Sequence, residues 1–154
     1  MEKKSNVRWV YNDGGYEKYR NELPNCPYTR AISIATGMDY KECYQLINNY
    51  IIKEGYDELY VHNCRQEVVK TVIRKVLSDL KAENCFRSKF SEGCTKHVRR
   101  EELPQLGTII VQISKGLTTL IDGVIQDMYD PSRQGTRCVY NIWTISPERK
   151  IRKA

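Results

Sequence analysis

The sequence predicts an α+β domain in which the helices come first along the chain and an antiparallel sheet comes last. Apolar residues recur at helical spacing between Pro27 and Leu80. Three β-branched, apolar runs then follow between Thr108 and Ile145. The dipeptide Asp122-Gly123 separates two of the strand segments and is a strong signal for a β-hairpin turn.

The first predicted helix covers Pro27 to Thr36. Pro27 suits the first helical position, because the missing N–H of proline has no intrahelical partner there. Cys26 or Asn25 is then the N-cap, and Gly37 provides the C-terminal stop. The small residues on this helix suit close packing against a sheet.

Two longer amphipathic helices are predicted next. Asp39 caps the second, and the third extends from Arg65 to Leu80. The apolar positions of the second are Cys43, Leu46, Ile47, Tyr50 and Ile51, and those of the third are Val69, Val72, Ile73, Val76, Leu77 and Leu80.

The strand predictions are less uniform. Val7 to Tyr11 alternates as a short strand does, and residues 16–23 are expected to be a loop or a single helical turn. Residues 58–62 could be a strand or a loop, and residues 85–90 could contain a short strand. The sheet itself is predicted from the runs Thr108 to Ile113, Leu117 to Ile121 and Val139 to Ile145.

We expect one domain over residues 1–146, followed by a basic tail over 147–154, because 154 residues suffice for one sizeable core. No apolar run is long enough to span a membrane. The start MEKKSNVRW lacks the apolar segment of a signal peptide, so a cytoplasmic location is expected.

The formal net charge of +6 leaves open a nucleic-acid-binding module. The basic residues are dispersed, however, apart from Lys96, Arg99, Arg100 and the tail. A dispersed excess of charge favours an ordinary solvated surface, so nucleic-acid binding stays a second alternative.

The six cysteines include no CxxC pair, and the sequence predicts neither a metal site nor another cofactor. Cys94-x-x-His97, with Cys85 upstream, is the closest approach to a ligand spacing. In a reducing cytoplasm, free and mostly buried thiols are the default expectation.

Four blocks resemble small papain-like cysteine peptidase domains of bacteria and their phages. They are residues 9–15 (WVYNDGG), 29–37 (TRAISIATG), 93–97 with 102–104 (GCTKH and ELP), and 121–140 (IDGVI to TRCVY). The resemblance covers most of the chain outside residues 48–84. It implies a papain-like fold, in which a cysteine at a helix N-terminus, a histidine and a carboxylate act together.

Placing the family motif on this sequence puts the nucleophile three residues before Arg30, at Pro27. The histidine falls seven residues before the hairpin glycine, at Gly116, whereas the orienting acid is retained as Asp127. Arg133 and Arg137 are expected to be structural ion-pair partners for Asp127 or for Asp130.

The resemblance therefore implies a catalytically inactive domain that binds a protein, as a phage-encoded modulator of a host protein would. Its cleft would be lined by Cys26, Pro27, Tyr28, Gly116 and Asp127. The alternative is an active cysteine hydrolase in which Cys26 is the nucleophile, His97 or His62 the base and Asp127 the orienting acid.

Overall fold

The computed structural model describes residues 7–55 and 66–146. Within them, the helices are α1 (Pro27–Thr36), α2 (Tyr40–Lys53) and α3 (Gln66–Asp79). The strands are β1 (Arg8–Tyr11), β2 (Glu83–Arg87), β3 (Thr108–Ile113), β4 (Gly116–Ile121), β5 (Val124–Asp127) and β6 (Asn141–Ile145). The predicted α+β class is thus confirmed.

The helix boundaries follow from the capping residues. Cys26 is the N-cap of α1, Pro27 is its first residue, and Gly37 ends it with a φ of 81°. Asp39 caps α2, because its carboxylate accepts hydrogen bonds from the backbone N–H groups of Lys41 and Glu42. The sequence therefore predicted both ends of α1 and the start of α2 correctly.

The strands form one six-stranded sheet in the order β1-β5-β4-β3-β6-β2. The central strands pair antiparallel, as predicted, and β4 and β5 join at Asp122-Gly123. At the edge, however, β1 pairs parallel with β5. The sheet is therefore mixed. A long crossover, and not a hairpin, connects these two strands in the chain, so they are free to pair in parallel.

Each face of the sheet carries its own core. The first core lies between the sheet and the three helices, and includes Tyr28 and Ala31 of α1 with Ile110 and Trp143 of the sheet. The second core includes Val98, Val111 and Ile125, which belong to the sheet and to the segments that cross its other face. Alternating side chains of β3 divide between the two cores, as expected for a sheet covered on both faces.

The remaining predictions have mixed outcomes. The strand expected within residues 85–90 is present as β2, displaced toward Glu83, and it is an edge strand of the main sheet. Residues 16–23 contain one 3-10 turn, Tyr16–Tyr19. Residues 58–62 and the basic tail lie outside the described residues. Within residues 7–55 and 66–146, no helix has the length and apolar character needed to cross a membrane.

Candidate functional site

The start of α1 is fixed by a buried tyrosine of α2. The Tyr40 hydroxyl accepts a hydrogen bond from the Cys26 backbone N–H at 2.9 Å and donates one to the Pro24 carbonyl at 2.6 Å. Burial raises the pKa of Tyr40 to about 12, so the hydroxyl keeps its proton and can make both bonds. The chain segment that enters α1 is therefore held by one neutral side chain.

Gly116 lies directly against Pro27. A Cβ atom added to Gly116 would lie 3.1 Å from Cγ and 3.2 Å from Cβ of Pro27, and 3.5 Å from the Tyr28 ring. Gly116 also has a φ of +134°, which side-chain-bearing residues rarely adopt. The two positions assigned by the family motif to the nucleophile and the histidine are therefore neighbours in the fold, and they contact each other without a reactive group.

Asp127 is held in a buried ion pair with Arg30. The Arg30 Nη2 atom lies 3.2 Å from Asp127 Oδ1, and both side chains are less than one-tenth exposed. The carboxylate also accepts hydrogen bonds from the Thr118 hydroxyl and from the Met128 backbone N–H, both at 2.7 Å. Arg30 donates a further bond to the Asn25 side chain. Both carboxylate oxygens of Asp127 are thus bound by neighbouring groups of the protein itself.

The Arg30–Asp127 pair corrects the expectation that Arg133 or Arg137 pairs with Asp127. Arg137 instead donates to the Pro131 carbonyl and to the Ser114 hydroxyl. Asp130 accepts a hydrogen bond from the Ser132 backbone N–H, which fits the predicted turn. The sequence did contain a signal for this ion pair. Arg30 lies on a helix of small residues that is expected to pack closely against the sheet, and a buried charge there requires a carboxylate partner.

The predicted cleft residues do come together, but they do not form an open cleft. Cys26, Tyr28 and Asp127 are all buried, with exposures of 2%, 0% and 4%. The space between Pro27, Leu117 and Asp127 has no volume for a water-sized sphere. Pro27 and Gly116 contact each other here, and the buried Arg30–Asp127 pair lies beside Pro27.

The cysteines do not provide a nucleophile in the described residues. Cys26 is disulfide-bonded, and Cys94 is disulfide-bonded to Cys138, so the expectation of free thiols is wrong for these three. Cys43 is a free thiol, but complete burial raises its pKa to about 12. Cys85 is free and exposed, and desolvation raises its pKa as well. A reactive thiolate requires the opposite shift.

His97 does not join Cys26 and Asp127, so the structure does not assemble the alternative triad. Its ring contacts Cys94 and Glu102, with Nε2 3.5 Å from Cys94 Sγ and Nδ1 3.3 Å from Glu102 Oε1. The next residue, Val98, belongs to the core on the face opposite α1. His62, the other candidate base, lies outside the described residues.

A second cluster of reactive groups therefore surrounds His97. The side-chain ligand atoms of Cys94, His97 and Cys138 all lie within 4.8 Å of one another. Partial burial acts to raise the pKa of Glu102, but the backbone N–H and ring of His97 and the guanidinium of Arg99 lower it overall. The sequence indicated Cys94-x-x-His97 but not Cys138, because an isolated β-bridge brings Cys138 to His97 across 41 residues of chain.

The short basic cluster is largely engaged in internal contacts. Lys96 Nζ donates to the Glu102 carbonyl and lies 5.0 Å from the Phe86 ring centroid. Arg99 pairs with the Glu102 carboxylate and donates to the Gly135 carbonyl. These contacts leave no cluster of cations in this segment that is directed toward a nucleic-acid backbone.

Three kinds of comparison with known proteins were negative: no protein-family model, no curated protein and no solved structure matches this chain.

Proposed function

We propose that this chain is a catalytically inactive papain-like domain that acts by binding another protein. The contact between Pro27 and Gly116 carries the proposal. Two positions that the family motif assigns to the nucleophile and the base are 89 residues apart in sequence, yet they are neighbours in the fold. Such proximity is expected if the motif is correctly placed, and the residues present cannot abstract or donate a proton.

The state of Asp127 supports the loss of catalysis. In a cysteine peptidase the third residue holds the imidazole in orientation. Here its two oxygens are occupied by Arg30, Thr118 and Met128 instead. The site has the packing of a protein core, and a partner therefore has to bind elsewhere on the surface.

The edge strand β1 is the best candidate for that surface. Trp9, Val10 and Tyr11 are 41%, 37% and 59% exposed. Among the described residues, β1 pairs with β5 alone, so one side of the strand has unpaired backbone groups. A partner that adds a strand here would gain main-chain hydrogen bonds and contacts with two aromatic side chains. If the chain is encoded by a phage, the partner is a protein of the bacterial host.

Two measurements test the proposal. The purified chain should hydrolyse no peptide in a mixed peptide pool analysed by mass spectrometry, and turnover by the wild type would refute the inactive assignment. For binding, we expect the immobilised chain to retain a defined bacterial protein at a constant stoichiometry.

The matched variants Tyr11→Lys and Tyr140→Lys locate the contact. Both tyrosines are exposed, at 59% and 39%, but only Tyr11 is on β1. We expect Tyr11→Lys to weaken retention at least tenfold and Tyr140→Lys to leave it unchanged. Equal retention by both variants would rule out β1 as the binding surface.

A further inference from the structure

We propose that Cys94, Cys138 and His97 form a zinc site when the Cys94–Cys138 disulfide is reduced, so that the chain exchanges a disulfide for a bound metal ion. This site lies near the second core and away from the start of α1. It is therefore independent of the proposed protein-binding role and of the residues that carry it.

The ligand atoms are already close to the geometry of a tetrahedral zinc centre. Zinc–sulfur and zinc–nitrogen bonds of about 2.3 and 2.05 Å place a sulfur and a nitrogen ligand about 3.6 Å apart. The observed distance between Cys94 Sγ and His97 Nε2 is 3.5 Å. Two sulfur ligands need a separation of about 3.8 Å, so only the disulfide must open.

The backbone holds these side chains in place without help from the disulfide. His97 and Cys138 face each other in an isolated antiparallel bridge. On either side, the Val98 N–H donates to the Arg137 carbonyl and the Val139 N–H donates to the Lys96 carbonyl. Two ligands therefore remain adjacent after reduction, which lowers the entropic cost of binding a metal.

The position of Glu102 is a second, independent observation that supports the zinc site. Histidines that bind zinc usually donate their other ring N–H to a carboxylate, a backbone carbonyl or a water molecule, which fixes the ring orientation and raises its basicity. Here Nε2 faces the sulfurs, whereas Nδ1 lies 3.3 Å from Glu102 Oε1. Glu102 is itself fixed by Arg99 Nη1, at 3.2 Å, and by the His97 backbone N–H, at 2.8 Å.

The exchange of disulfide for metal is chemically balanced. A phosphine reductant attacks one sulfur of the disulfide and transfers two electrons, and water then converts it to the phosphine oxide while both sulfurs become thiols. Binding of Zn²⁺ displaces the two thiol protons to solvent. Cys94 is exposed, so both the reductant and the ion can reach the site. Water completes the tetrahedron at the fourth position.

The test uses the full chain reduced with tris(2-carboxyethyl)phosphine and titrated with Co²⁺, which is then displaced by Zn²⁺. We expect one equivalent of Co²⁺, with intense tetrahedral visible bands and a thiolate-to-cobalt charge-transfer band. The chain with its disulfides intact should show neither. Absence of these bands in the reduced wild type would overturn the proposal.

Variants assign the ligands. Cys94→Ser and Cys138→Ser should abolish the charge-transfer band, and Glu102→Gln should weaken affinity about 10- to 100-fold. His97→Gln should weaken it at least tenfold. The last two variants keep both cysteines, so they test the site even if the serine variants fold poorly.

Cysteine controls exclude other sites, because the reductant also opens the disulfide of Cys26. Cys26→Ser and Cys85→Ser should bind Co²⁺ as the wild type does. Loss of binding in either control would overturn the assignment, as would wild-type affinity in both His97→Gln and Glu102→Gln.

Discussion

Replacing Arg30 with methionine should destabilise the fold by about 3 kcal/mol. Removing one partner of a buried ion pair costs about 3 to 5 kcal/mol, because the remaining charge loses its compensation. The lower end applies here, since Asp127 keeps its bonds to the Thr118 hydroxyl and the Met128 N–H. Methionine also retains much of the aliphatic volume of arginine. For a chain of this size the loss corresponds to a fall in Tm of about 6 to 12 °C.

Urea denaturation followed by tryptophan fluorescence measures this loss, since Trp143 is buried at 2% exposure. The assay omits reductant so that the disulfides persist. The matched control is Arg20→Met, which removes an exposed ion pair with Glu17 and should leave the urea midpoint unchanged. A loss below about 1 kcal/mol for Arg30→Met would refute the account of the buried pair.

Two further predictions concern the backbone and pH. Gly14→Ala should destabilise the fold by about 1 to 3 kcal/mol more than Gly93→Ala in the same urea assay. Both glycines have a positive φ, but only at Gly14 would a Cβ lie 2.9 Å from the Arg30 carbonyl oxygen, so equal losses would contradict the prediction. Burial raises the pKa of Tyr28 and of Tyr40 from 10.0 to about 12, so the unfolded chain releases these phenol protons first and stability should fall between pH 10 and 12. Denaturation at pH 9, 10 and 11 measures this fall; a Tyr40→Phe variant should show a shallower decline, and an identical decline would contradict the assignment.

The local structure could be predicted from the sequence because its signals are short-range. The ends of α1 depend on Pro27 and Gly37, and the hairpin depends on Asp122-Gly123. Such residues restrict the backbone wherever they occur. The parallel pairing of β1 with β5 depends instead on which chain segments meet in the folded state, and no local residue encodes it.

The candidate site was likewise predicted from the sequence only in part. The family motif identified Pro27, Gly116 and Asp127, and these residues do lie together. The motif did not predict Arg30 as the partner of Asp127, because a buried ion pair depends on three-dimensional proximity. The Cys94–Cys138 contact was missed for the same reason, since 44 residues separate the two cysteines and spacing alone cannot pair them.

The central claim is that positions 27 and 116 are the former catalytic dyad, and restoring the dyad tests it most directly. The double variant Pro27→Cys/Gly116→His is compared with Pro27→Cys/Gly116→Ala, because both carry the same Cβ strain at position 116. Alkylation by iodoacetamide at pH 6 is followed at position 27 by peptide mass spectrometry, with Cys85 as the internal reference. An adjacent imidazolium lowers a thiol pKa, so the histidine variant should react about tenfold faster. Equal rates in two folded variants would contradict the claim.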